Sequence, residues 1–84
     1  MKKSESRGKI LVVDDTDHDL KLMTQILESK GYDVLGVNNG ATAIEKAQAE
    51  LPNLIMLDIA MPAMDGYETC TLLKAAEKTR NIPI

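Results

Sequence analysis

The hydrophobic residues of this chain form three short runs separated by longer amphipathic stretches. Residues 10–13 and 54–57 are continuously apolar, whereas residues 32–37 include polar positions. Continuous apolar runs of four residues are typical of parallel strands that are buried on both faces. We therefore predict parallel strands over residues 9–13 and 54–57, with the less apolar strand over residues 32–37 at an edge of the sheet.

Between these strands, apolar residues recur at the three- and four-residue spacing of amphipathic helices. The pattern predicts helices over residues 17–30, 41–50 and 66–78, with Thr16 or Asp17 as the first N-cap and Gly31 closing the first helix. The predicted core-facing residues of the three helices are Leu20, Met23, Ile26, Leu27, Ala43, Ile44, Ala47, Leu51, Cys70, Leu73 and Ala76 or Glu77.

Two further elements are predicted near the end of the chain. Asp65, followed by Glu68 three residues later, predicts a capping box at the start of the third helix. Residues 81–84 have the pattern of the beginning of a fourth strand, in which proline is acceptable at the first positions.

Right-handed crossovers between parallel strands place the first helix on one face of the sheet and the other two helices on the opposite face. One helix cannot be expected to cover the inner strands. We therefore predict an exposed apolar patch on the sheet face that carries the first helix, and an incompletely paired strand at the edge of the sheet. These features favour self-association, as a homo-oligomer or as a domain-swapped dimer through the uncovered sheet.

Acidic residues follow two of the apolar runs. Asp14 and Asp15 come after the first run, and Asp58 comes after the third. If the two strands are parallel neighbours, all three carboxylates meet at one edge of the sheet. Close carboxylates repel each other unless a cation lies among them, and Mg²⁺ prefers such oxygen ligands. Each acid alone could instead be a helix cap or a turn residue.

The paired acids Asp14 and Asp15, together with the D-x-x-M-P-x-M-D-G motif that starts at Asp58, resemble the receiver domain of two-component response regulators. The resemblance extends from about Lys9 to Ile84. It implies an α/β fold, namely a flavodoxin-like doubly wound parallel sheet. The expected order is βαβαβα plus the start of a fourth strand, that is, a truncated version of the domain.

The same resemblance implies a phosphorelay function. Asp58 is expected to accept a phosphoryl group from a sensor histidine kinase or a phosphotransfer protein. Mg²⁺ is expected to bind Asp14, Asp15, Asp58 and the main-chain carbonyl of Ala60. Residues 1–8 would form a disordered polar leader, and residues 9–84 a partial receiver domain that lacks the C-terminal strands and helices.

The family's phosphate-contacting hydroxyl residue and lysine would lie beyond residue 84, so weak Mg²⁺ binding and slow or undetectable phosphorylation are expected. Two alternatives stay open: a non-catalytic interaction or self-assembly module, and a metal-dependent phosphatase. The second rests on Asp15-Thr16-Asp17, which resembles the D-x-D of haloacid-dehalogenase-type phosphatases, although Asp19 stands where that motif has Thr or Val. An EF-hand loop is excluded because Leu20 and Ile26 occupy its Gly and Glu positions.

Composition narrows the function further. The 84 residues suffice for one domain. The net charge is −3, although the first nine residues carry four basic side chains and one acidic side chain. The acidic remainder argues against direct nucleic-acid binding. The single cysteine, Cys70, excludes an intramolecular disulfide and favours a cytoplasmic location, and no apolar run is long enough to span a membrane.

Overall fold

The computed structural model describes residues 6–58 and 66–84. Six elements follow one another along the chain: β1 (Lys9–Val13), α1 (Asp17–Ser29), β2 (Asp33–Val37), α2 (Gly40–Glu50), β3 (Leu54–Leu57) and α3 (Gly66–Ala75). The strands form a parallel sheet in the order β2-β1-β3. The predicted α/β class and element order are confirmed, and β2 lies at an edge as its interrupted apolar pattern indicated.

The connection from α1 to β2 is a Schellman motif. The N–H of Tyr32 donates to the carbonyl of Leu27 at 3.2 Å, and the N–H of Gly31 donates to the carbonyl of Glu28 at 3.0 Å. Gly31 has a φ of 96°, which only glycine adopts without a steric cost. The prediction that Gly31 closes the first helix is therefore confirmed.

Helix α1 covers the central strand on its face of the sheet without help from a second helix. Ile10 and Val12 alternate along β1 with residues whose side chains lie on the other face of the sheet, and each is only 4% exposed. A Cβ at Gly36 of β2 would lie 3.2 Å from Leu20 Cδ1, so the missing side chain lets α1 approach closely. The expected exposure of the central strand is thus wrong. The half-buried Met56 shows that exposure falls on β3 instead.

The apolar stripe of α1 is only partly withdrawn from water. None of its residues is buried, and Ile26, predicted to face the core, is exposed. Met23 is half-buried and not a core residue. The reason is that, among the described elements, α1 packs mainly against β2 and to a smaller extent against β1, so its flank nearest β3 borders an open cleft.

The main hydrophobic core lies on the opposite face of the sheet, under α2 and α3. Ala43 and Ala47 of α2 are fully buried, as predicted, because their small side chains let the helix lie close to the strands. The buried residues that form this core are Leu11, Val13, Val37, Ala43, Ala47, Ile55 and Leu73.

A predicted core-facing position at the end of α2 is wrong, as Ile26 is in α1. Leu51 is 55% exposed because the chain turns there into the left-handed region, with φ 49° and ψ 62°. In α3 the buried positions are Gly66, Thr69 and Leu73, whereas Cys70 is half-buried. Polar Thr69 was not expected in the core.

Helix α3 ends three residues before its predicted end at residue 78. The buried hydroxyl of Thr79 donates to the carbonyl of Leu73 at 2.6 Å. The Lys74 ammonium donates to the carbonyls of Arg80 and Ile82, at 3.2 and 3.0 Å. Thr79 thus takes over a carbonyl that a longer helix would have bonded internally, and Lys74 holds the following segment where the chain folds back toward the sheet.

This fold-back brings the last residues beside β3. The N–H of Ile55 donates to the carbonyl of Pro83 at 2.9 Å. Residues 81–84 nevertheless do not form a strand. Within the described ranges, the predicted fourth strand is therefore limited to this one backbone hydrogen bond to β3.

Backbone contacts begin before β1. The N–H of Arg7 donates to the carbonyl of Gly31, and the N–H of Asp33 donates to the carbonyl of Gly8, at 2.8 and 2.9 Å. Residues 7 and 8, which the sequence assigns to the polar leader, therefore bond to the chain at the start of β2. The predicted N-cap Asp65 lies outside the described residues, and none of the helices described is long and apolar enough to cross a membrane.

The start of β1 is tied to the end of α2. The N–H of Lys9 donates to Asn53 Oδ1 at 2.8 Å, and Lys9 Nζ lies 3.0 Å from Glu50 Oε1. The hydrogen bond and charge of Lys9 hold the pKa of the Glu50 carboxyl below its usual value. Because this pair is solvent-exposed, it adds little to stability.

The backbone at Leu51 generates a testable prediction. A non-glycine residue in this region is strained, and the exposed side chain contributes little burial. We expect Leu51→Asn to raise the free energy of unfolding by about 0.5 kcal/mol, and Leu51→Val, which is β-branched, to lower it by about 1 kcal/mol. Equilibrium urea denaturation measures both, and equal losses in the two variants would contradict the strain.

Candidate functional site

Three acidic side chains lie together at the carboxyl end of the sheet. Asp14 follows β1 and Asp58 follows β3, and these strands are paired so that Val13 lies opposite Leu57. Asp15 lies in the loop that leads to α1. One carboxylate oxygen from each of the three acids lies within 4.8 Å of the other two. The structure therefore brings together the acids that the sequence placed at one sheet edge.

The backbone of the sheet holds two of these acids in place. The N–H of Asp14 donates to the carbonyl of Val37 at 3.1 Å, and the N–H of Asp58 donates to the carbonyl of Val13 at 2.9 Å. Each bond extends the strand pairing by one residue beyond the strand itself. The Cα positions of the two acids are consequently fixed by the register of the sheet and not by loop conformation.

The Asp14 carboxylate has a second task. Its Oδ1 accepts a hydrogen bond from the N–H of Thr16 at 2.9 Å. Thr16 is the N-cap residue of α1, as predicted, but its own side chain makes no capping bond. The Asp14 carboxylate therefore supports the start of α1 and also belongs to the acid cluster, a connection that the sequence did not reveal.

Two of the three acids, Asp14 and Asp58, border a cleft of about 440 Å³ between α1 and the sheet. Val12, Met23 and Met56 contribute apolar surface to this cleft. Asp14 and Asp58 are half-buried and Asp15 is exposed, so a reactant can reach the cluster from water. Asp19 of α1 also lines the cleft, and our sequence analysis gave it no functional role.

This cluster suits a hard divalent cation. Three carboxylate oxygens at mutual distances within 4.8 Å match the ligand type that Mg²⁺ prefers, and the exposed side of the cluster leaves room for water ligands. The fourth protein ligand expected from the sequence, the carbonyl of Ala60, lies outside the described residues. The phosphatase alternative gives no reason for Asp58 to lie in this cluster.

The chain matches the family described as response regulator receiver domain over residues 10–84. It is 41% identical over 77 residues to the response regulator PleD of Caulobacter vibrioides, an alignment that covers 92% of this chain and 17% of PleD.

Two solved structures extend the comparison. The N-terminal domain of a response regulator receiver protein from Methanoculleus marisnigri superposes with a TM-score of 0.90 at 38% identity, covering 93% of this chain and 63% of that one. The receiver domain of a sensor histidine kinase from Pseudomonas aeruginosa has a magnesium ion coordinated in its active-site cleft. It matches with a TM-score of 0.87 at 31% identity, covering 92% of this chain and 63% of that domain.

The chain therefore spans less than two thirds of the length of these relatives, and under a fifth of PleD. Within that span, the strand order, the acid cluster and the match to the family model all support the same family. The chain belongs to the response regulator receiver domain family.

Proposed function

We propose that this chain is a phosphoacceptor module of a two-component phosphorelay, with Asp58 receiving the phosphoryl group from a sensor histidine kinase or a phosphotransfer protein. The observation that carries the proposal is the meeting of Asp14, Asp15 and Asp58 at the end of paired strands in a chain of this family. The proposal includes a cytoplasmic location and no direct contact with nucleic acid.

The transfer itself needs only one bond to form and one to break. A carboxylate oxygen of Asp58 attacks the phosphorus of the donor's phosphohistidine, a P–O bond forms, and the P–N bond breaks. The electron pair of that bond stays on the imidazole nitrogen, which takes a proton from solvent. The half-buried position of Asp58, at the border of an open cleft, leaves room for the donor. The resulting acyl phosphate would bias a two-state surface elsewhere in the domain.

The remaining acids have supporting roles in this proposal. Asp14, Asp15 and Asp58 would hold Mg²⁺ through carboxylate oxygens, with the carbonyl of Ala60 as a further ligand. The bound cation supplies positive charge against the phosphoryl oxygens, which is the main requirement of phosphoryl transfer. Asp14 keeps the cluster in register with α1 through its bond to Thr16.

Phosphorylation of this chain is expected to be slow. Among the described residues, no lysine or arginine lines the cleft next to Asp58. With no basic side chain among the described lining residues, the charge of the incoming phosphoryl group would be balanced mainly by the positive charge that a bound cation would supply. Phosphoryl transfer depends strongly on such charge balance, so the rate should fall well below that of a site that has a cationic side chain.

The proposal is tested by incubation with Mg²⁺ and a small phosphodonor, followed by intact mass measurement. We expect the slow gain of one phosphoryl group, which Asp58→Asn abolishes because the attacking oxygen is lost. Asp17→Asn is the matched control: it removes an exposed carboxylate that does not line the cleft, and it should be labelled like the wild type. A phosphoryl group that persists in Asp58→Asn would contradict the assignment.

A second function, self-association, is favoured by a different observation. Among the described residues, β3 pairs with no strand other than β1, although its Ile55 donates one hydrogen bond to the carbonyl of Pro83. An apolar cavity of about 430 Å³ borders this strand, and its lining residues, which include Tyr67, Cys70 and Ile84, are all uncharged. Two copies of a chain with net charge −3 can therefore approach through this surface without opposing like charges. We propose a homodimer, by edge contact or by exchange of elements, as the alternative role.

Sedimentation velocity tests this alternative. We expect the average mass of the wild type to rise with concentration in the micromolar range. Tyr67→Gln should weaken association about tenfold. Tyr67 is 68% exposed beside β3, so the substitution would remove apolar area from the contact between the two copies. Leu72→Gln is the control, since Leu72 is also exposed on α3 but does not line the cavity. A monomeric wild type with cooperative unfolding would exclude this role.

A further inference from the structure

A third acidic residue lines the cleft that Asp14 and Asp58 border. Asp19 lies in the first turn of α1 and borders the same cavity of about 440 Å³ as Asp14 and Asp58. It does not belong to the group of acids whose oxygens lie within 4.8 Å of one another. Asp19 therefore adds negative charge to the cleft without being one of the three clustered acids.

The helix dipole does not explain this placement. Asp17 and Asp19 are both exposed acids in the first turn of α1, where negative charge is favoured. Residues two apart on an α-helix point in directions about 200° apart, and only Asp19 lines the cleft. Asp17 is consequently a matched reference for Asp19, with the same charge, the same turn and a different side of the helix.

We propose that Asp19 is a specificity-determining residue of this site, which strengthens cation binding and disfavours small phosphodonors that carry two negative charges. This inference rests on the proposed function of Asp58. It concerns the choice of reactant and not the chemistry of the transfer, because Asp19 is assigned no contact with the reacting atoms.

The two effects have one electrostatic cause and opposite signs. A negative charge on the wall of the cleft attracts a divalent cation and repels a dianionic donor. Asp19 is exposed, so water and salt screen both effects. For an exposed charge within about 8 Å of the ligand, a change of about threefold in divalent-cation affinity is expected at low ionic strength, and salt should remove most of it.

Cation binding gives the first test, with Mn²⁺ as the probe and free Mn²⁺ measured by electron paramagnetic resonance. We expect Asp19→Asn to weaken Mn²⁺ binding about threefold at low salt and much less at high salt. Asp17→Asn should match the wild type. Equal weakening in both variants, or no weakening in Asp19→Asn, overturns the inference.

Donor choice gives the second test. At high Mg²⁺, Asp19→Asn should increase the rate with acetyl phosphate, a dianion, by about twofold relative to the rate with the less charged phosphoramidate. An unchanged ratio of the two rates overturns the role in specificity.

The outcomes separate this inference from the proposed function. If the wild type binds Mn²⁺ and is labelled on Asp58 while Asp19→Asn behaves identically, only the role of Asp19 fails. If the wild type neither binds Mn²⁺ nor acquires a phosphoryl group, both proposals fail.

Discussion

The site depends on the backbone pairing of a parallel sheet, continued one residue past the strands. The N–H groups of Asp14 and Asp58 donate to carbonyls of the neighbouring strands, which fixes where both acids lie. Parallel strands end at the same edge, so hydrogen bonds that stabilise the sheet also hold like charges near one another. The Coulomb repulsion is part of the folded structure, and a cation that enters the cluster relieves it. The strand pairing therefore places the acids side by side in the absence of any ligand, as the proposed cation site requires.

The two faces of the sheet differ in how closely their helices pack. On one face, Ala43 and Ala47 let α2 lie against the strands, and α3 completes a closed core. On the other face, α1 is drawn toward β2 by the contact of Leu20 with Gly36, so it leans away from β3. The cleft beside Asp58 is the space that this offset leaves. A single glycine in an edge strand thus contributes to the shape of a site at the far edge of the sheet.

Much of this arrangement could be predicted from local sequence patterns. The strands were predicted from the apolar runs, and the acid cluster was predicted from the acids that follow two of these runs. The second prediction succeeds because the carboxyl ends of neighbouring parallel strands lie side by side, whatever the details of packing. The predictions that were wrong concern where helices end and which residues become buried there, which the spacing of apolar residues does not specify. Leu51 has the spacing of a core residue, but its backbone turns out of the helix, and Thr79 ends α3 with a hydrogen bond to a carbonyl. The position of Asp19 on the cleft wall depends on the orientation of α1, which periodicity alone did not specify.

The Asp14 carboxylate takes part in two features of the structure. Its Oδ1 accepts a hydrogen bond from the Thr16 N–H at the first turn of α1, and the same side chain belongs to the acid cluster. Thermodynamic linkage then operates in both directions. A ligand that draws this oxygen away from Thr16 loosens the entry to the helix, and a contact that tightens the entry opposes that ligand by the same free energy. The acid cluster and the first turn of α1 are therefore joined by a single side chain.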